Sequence, residues 1–148
     1  MTTGTGLQKN QVNRVDLGFG LDVDFVVGNA GDVTAGLATH SSVQAAHDAA
    51  SNGDIIKLLR RTITENVILT KEVKIQGLNN RSVINGTLDL NAGAGKSMIR
   101  ELKVTGNITV ASGVKNCILT DMWVSNGVIV TDNNVAIDDN QYIIKEEV

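Results

Sequence analysis

The sequence predicts an all-β chain, wound as a short single-stranded β-solenoid with a period of about 20 residues and a short amino-terminal capping helix. Three observations predict it. The first is a repeat. Ile84-Asn85-Gly86-Thr87-Leu88-Asp89-Leu90 returns as Val104-Thr105-Gly106-Asn107-Ile108-Thr109-Val110, then as Val124-Ser125-Asn126-Gly127-Val128-Ile129-Val130, twenty residues apart each time. The second is composition: 42% of residues are hydrophobic, yet aromatics are 3% and proline is absent, so the core must be aliphatic. The third is punctuation, because the apolar runs after Asp54 are short and separated by Asn, Gly, Asp and Ser. A coil of about twenty residues turns two or three corners and closes above its start, so each strand pairs in parallel with its equivalent about 4.8 Å away. On that register Ile84, Val104 and Val124 form one interior row, and Leu88, Ile108 and Val128 another. The Asn and Gly positions then form corners that need left-handed backbone.

In chain order, residues 1–20 are polar and glycine-punctuated. Leu7, Val12, Val15, Leu17 and Phe19 stand there without a period that builds a core, which predicts an arm ordered by a partner. Residues 21–40 are a strand and loop lead-in. Leu21, Val23 and Phe25 alternate with Asp22 and Asp24, and Gly28 to Asp32 reads as a turn. Residues 41–148 are the solenoid domain, with the capping helix near 41–51. Ser41 or Ser42 opens that helix, Val43, Ala46, His47 and Ala50 share one face, and Asn52-Gly53 ends it. Ile63 to Leu69 is an earlier copy of the repeat, one residue out of phase. The other half of each period carries Val73 and Ile75, Met98 and Ile99, Cys117 and Ile118, and Val135 and Ile137. The tail from Gln141, with Tyr142, covers or extends the far end, or pairs with a neighbour.

At 148 residues the chain is long enough for one domain with a real core. A net charge of −3 argues against a nucleic-acid partner held by a basic surface. The single Cys117 excludes an intrachain disulfide and any cysteine-cluster metal site. No apolar run approaches membrane-spanning length, and the amino terminus has no basic-then-apolar leader pattern. The expectation is a soluble chain made in a cytoplasm, without cofactor and without nucleic-acid or membrane partners.

Candidate sites are few. Gly93-Ala94-Gly95-Lys96-Ser97 resembles a phosphate loop. However, Leu90 stands where that loop needs its first glycine, and a strand rather than a helix follows. His40, Ser41, His47 and Asp48 supply hydrolase residue types without a nucleophile turn; Ser41 reads as a cap and His47 as a half-buried helix residue. Asp22 with Asp24, and Asp138-Asp139-Asn140, offer too few oxygens for a calcium loop. Cys117 falls on an interior row, which predicts a buried thiol. Trp123 lies between Met122 and Val124, so alternation turns it outward as a candidate interface anchor. The expected catalytic, cofactor and metal residues are therefore none. The expected interaction residues are Leu7, Val12, Val15, Leu17, Phe19, Trp123 and Tyr142.

Ser42 to Ile56 (Ser-Val-Gln-Ala-Ala-His-Asp-Ala-Ala-Ser-Asn-Gly-Asp-Ile-Ile) resembles the start of the pectin-lyase-like right-handed parallel β-helices, where a short amphipathic helix caps the first coil. Thr64 to Leu69 and Lys71 to Gly77 resemble that family's first strands. The resemblance implies a right-handed parallel β-helix, a fold shared by lyases, hydrolases, adhesins and phage tailspikes. This sequence differs from the enzymes. Arg60-Arg61 replaces their usual corner, and Asp89, Asp121 and Asp132 stand singly rather than as a calcium-holding acidic cluster. The expectation is a non-enzymatic virion protein made in the host cytoplasm. It would be a bacteriophage capsid decoration or cement protein, forming a homotrimer and binding the major capsid protein or another virion protein. The competing expectation is a carbohydrate-active or carbohydrate-binding β-helix, such as a tailspike or lyase-like fragment.

Overall fold

The computed structural model describes residues 23–126 and, as backbone, two further strands at Val128–Val130 and Gln141–Lys145. The chain is a right-handed parallel β-helix of about four coils. One row of strands comprises β1 (Phe25–Val27), β2 (Asp54–Leu58), β5 (Val73–Gln76), β8 (Met98–Arg100), the first half of β11 (Ile118–Val124), and β13 (Gln141–Lys145). A second comprises β3 (Thr62–Thr64), β6 (Val83–Asn85), β9 (Lys103–Val104) and the second half of β11. The third comprises β4 (Val67–Leu69), β7 (Leu88–Leu90), β10 (Ile108–Val110) and β12 (Val128–Val130). Every strand pairing is parallel.

The repeat register is the observed one. Ile63, Ile84, Val104 and Val124 stack in one row, and Val67, Leu88, Ile108 and Val128 occupy successive positions of another. The first row of strands adds Phe25, Ile56, Ile75, Ile99 and Leu119. Ile56, Ile63, Val67, Ile75, Ile84, Leu88, Ile99, Val104, Ile108 and Leu119 are buried and form one continuous core down the axis, against which Phe25 and Val124 pack. Three-residue strands suffice because one or two inward side chains per strand already fill so narrow an interior.

Several expectations are corrected. Gly28 to Asp32 is not a simple turn: it leads into helix α1 (Ala30–Thr34) through a reciprocal cap. Asn29 Oδ1 accepts from Asp32 N at 2.8 Å, and Asp32 Oδ2 from Asn29 N at 2.9 Å. Arg61 grips the same carboxylate with Nε and Nη2, at 2.8 and 3.0 Å, and its guanidinium draws the Asp32 pKa down to about 2. Helix α2 (Val43–Ala49) is capped by Ser42, not Ser41, and His47 is fully buried rather than half-buried. Val23 and Phe25 do not share a face. Asp24 Oδ2 accepts from Ile55 N and Asp24 N donates to Ile55 O, both at 2.9 Å. Val23 consequently joins an outer cluster with Val26 and Ala38, while Phe25 packs against the interior.

The corners also differ from expectation. Gly53, Gly93 and Gly113 are left-handed, with φ of +90°, +99° and +82°, but Gly86 and Gly106 are not. Those two are glycine because the neighbouring coil leaves no space. A Cβ on Gly86 would collide with Glu65 O, and one on Gly106 would lie 2.6 Å from Gly86 O. Other left-handed corners are carried by side-chain residues in pairs one coil apart: Lys96 with Asn116, and Glu101 with Asp121.

Candidate functional site

The amino-terminal cap gathers His40, His47 and Asp48, each with a partner there, while Ser41 is exposed. Ser42 Oγ accepts from Ala45 N at 3.1 Å and donates to Glu65 Oε1 at 2.8 Å, while Glu65 Oε2 accepts from Val43 N at 2.6 Å. At the other end of α2, Lys71 Nζ donates to the carbonyls of His47, Asp48 and Ala50, at 3.2, 2.8 and 2.8 Å. Both helix ends are thus closed by charged side chains of suitable sign. Gln44 acts as a substitute strand: its Oε1 accepts from Ile68 N at 2.7 Å and its Nε2 donates to Ile68 O at 3.0 Å. His47 Nε2 accepts from Thr70 N at 3.0 Å, which leaves the ring proton on Nδ1 facing Asp48 Oδ1 at 2.9 Å. The His47 and Gln44 hydrogen bonds hold the Asp48 carboxyl below its ordinary range. Thr39 treats β1 likewise, its hydroxyl accepting from Val26 N and donating to Val26 O. His40 packs edge-on against Phe25 with ring centres 5.4 Å apart, and burial lowers its pKa. The pairing of His47 with Asp48 therefore serves the first coil's backbone and faces no nucleophile within reach of its Nε2.

The structure also forms an open groove of about 650 Å³ where the corners after β7 and β10 stack, with Asn52, Glu72, Lys96, Lys115 and Asn116 among its lining. The phosphate-loop-like stretch builds part of it, but its serine is used internally. Ser97 Oγ accepts from Val73 N at 3.0 Å and donates to Lys71 O at 3.3 Å. The groove offers amides and charges of both signs for a polar ligand.

Sequence reasoning missed Lys57, which is 1% exposed inside β2. Its Nζ donates to Gly77 O at 3.2 Å, and the register stacks it with Gln76 and Arg100. Gln76 Nε2 donates to Glu101 Oε2 at 3.1 Å, and Arg100 Nε lies 3.3 Å from the same oxygen without hydrogen-bond alignment. Burial pulls the Lys57 pKa down to about 8, Glu101 opposing and Arg100 reinforcing the shift. An unfolded lysine titrates near 10.4, so between those values the unfolded chain binds a proton that the folded chain does not. Stability therefore rises with pH across that window, by up to about 3 kcal/mol. Melting temperatures at pH 7 and pH 10 are expected to differ more favourably for the natural chain than for Lys57→Met. Identical pH responses would show that the amine is solvated.

Trp123 sits half-buried on the outward side of β11, in a ladder with Val83 and Lys103, between buried Met122 and core-packed Val124. Met98 and Ile118 also belong to an outward ladder; the interior positions beside them are Ile99 with Leu119, and Ser97 with Cys117. Cys117 is fully buried, and burial pushes its thiol pKa up. Asp24 spends its carboxylate on Ile55 N. The register pairs Tyr142 with Leu119, so the tail extends the first row of strands. Leu7, Val12, Val15, Leu17 and Phe19, like Asp22, Val135, Ile137 and Asp138 to Asn140, lie outside the described residues. Comparison with protein-family models, curated proteins and solved structures finds no match to the chain.

Proposed function

We propose that this chain is a non-enzymatic structural protein of a virion, a bacteriophage capsid decoration or cement protein. In this reading it is made in the host cytoplasm, forms a homotrimer and binds the major capsid protein or another virion protein. The observation that supports it is the difference between the two ends of the solenoid. At the amino-terminal end, Gln44, His47 and Thr39 occupy strand edges with side chains. At the other end, among the described residues, no strand pairs with the outer edges of β12 and β13. A parallel edge that no described strand covers can accept further chain, and in this reading assembly takes place at that end. Trp123 and the outer part of the amino-terminal arm, with Leu7 and Val12, supply further contacts. The likeness of the cap and first strands to pectin-lyase-like β-helices supports the phage assignment.

Light scattering on the purified chain is expected to give three times the 15.7 kDa of one chain, and the gene is expected to lie among capsid and tail genes. Incubation with polyuronates or lipopolysaccharide glycans, with or without calcium, is expected to release no unsaturated or reducing ends above an unfolded-protein control. Reproducible release would overturn this reading. The polar groove beside Lys96 and Lys115 favours a second reading, a carbohydrate-binding β-helix. Binding to a glycan panel, lost in a Lys96→Ala, Lys115→Ala double variant, would select that one.

A further inference from the structure

We propose that residues 15–22 of the amino-terminal segment dock on their own chain, in the groove on the outward face of β2, β5 and β8. That groove holds about 220 Å³ and is lined by Ile55, Lys74, Gln76, Met98 and Arg100, among others. Its outward positions follow the register: Ile55, Lys74, Met98 and Ile118 form one outward ladder along the axis, apolar except at Lys74.

The chain arrives at this groove already on the right face. Val23 is buried in the outer cluster with Val26 and Ala38, and Ile55, which packs against that cluster, is also a wall of the groove. Upstream of Val23 the sequence keeps a strict alternation, with apolar residues at Val15, Leu17, Phe19 and Leu21. In an extended segment these four fall on the side that Val23 presents to the sheet. Asp16, Gly18, Gly20 and Asp22 alternate with them and so face away from the sheet, leaving the apolar side against the groove. The lengths agree as well. Phe19 is four residues from Val23, about 13 Å of extended chain, and Val23 precedes β1, from which β8 is three rungs away, about 14 Å. Leu21 then falls between Ile55 and Lys74, and Phe19 reaches Met98. Leu7 and Val12 remain beyond the anchor, free to reach a partner, so the docked part tethers an arm rather than forming the attachment itself.

Two measurements on the full-length chain test this. In a Cys117→Ser background, Phe19→Cys with Met98→Cys is expected to oxidise to a disulfide within one chain, seen as a compact monomer on a non-reducing gel. Covalent dimers or trimers would place the segment on a neighbouring copy, and no disulfide would place it elsewhere; either result overturns the proposal. Separately, Met98→Glu is expected to keep the β-rich circular dichroism of the natural chain. It should also speed chymotryptic cleavage at Phe19 by about tenfold or more, because proteolysis tracks the opened population. Equal cleavage rates in the two folded proteins would overturn docking. Neither readout depends on the virion assignment.

Discussion

Replacing Ile108 with aspartate is expected to leave the chain without a cooperative melting transition, or to lower the transition by tens of degrees. Ile108 is fully buried at the start of β10, with Leu88 one coil below and the Val128 position one coil above. The substitution removes a side chain worth about 1.5–3 kcal/mol of burial and places a carboxylate in an aliphatic row. No described polar side chain belongs to that row, whose other members are Val67 and Leu88. An uncompensated buried charge costs about 3–5 kcal/mol more, against a total stability of about 5–15 kcal/mol for a domain. Protonating the aspartate lowers that cost, so the variant should recover part of its β signal near pH 4. Ile108→Val, which keeps the row apolar, is expected to cost only about 1 kcal/mol. Circular dichroism melts check all three, and an Ile108→Asp protein melting within two degrees of the natural chain would refute the stacked register.

The rows of the second and third strand sets were legible in the sequence because their coils are nearly constant in length. Ile84 to Val104 and Leu88 to Ile108 are both twenty residues, so like residues recur in phase. The first set was less legible because the corners flanking it vary. Ile56 to Ile75 spans nineteen residues, Ile75 to Ile99 twenty-four, and Ile99 to Leu119 twenty. A short 3-10 turn at Asn79–Arg81 lengthens the second of these. That drift is why the pairs Met98-Ile99 and Cys117-Ile118 were visible without showing which member faces in; the buried residues are Ile99, Cys117 and Leu119. The cap was legible as a helix from its apolar face. The partners that close it were not, since Glu65, Ile68, Thr70 and Lys71 lie more than twenty residues away and meet α2 only after one coil has closed. Arg61 is a similar case. Its partner Asp32 belongs to a helix that local spacing disguised as a turn. Lys57 gave no sign of burial, because a lysine in a strand pattern reads as outward and the outer face of β2 was not expected to be covered.

The two kinds of glycine in the corners should respond differently to substitution, as Gly86 and Gly113 show. Its backbone is not left-handed, so an added methyl meets no dihedral penalty there. It meets Glu65 O in the coil below, with Asn66 Oδ1 and Glu65 C both at 2.8 Å. Those atoms are fixed, because Asn66 Oδ1 accepts from Thr87 N and Gly106 N donates to Gly86 O from the coil above. Relieving the overlap means separating two coils, at about 3 kcal/mol or more. At about 2–4 °C per kcal/mol for a chain of this size, Gly86→Ala should melt about 6–12 °C lower. Gly113 is the opposite case: φ is +82° and a methyl added there would meet nothing within 4 Å. Gly113→Ala should cost only the left-handed penalty, about 1–2 kcal/mol. Asparagine separates the two causes, since it tolerates left-handed backbone but is bulkier than alanine. Gly113→Asn should therefore melt above Gly113→Ala, while Gly86→Asn should melt no higher than Gly86→Ala. If asparagine rescues position 86 as it does position 113, the close approach of the coils is not what requires glycine there, and the tight stacking of Glu65, Gly86 and Gly106 is wrong.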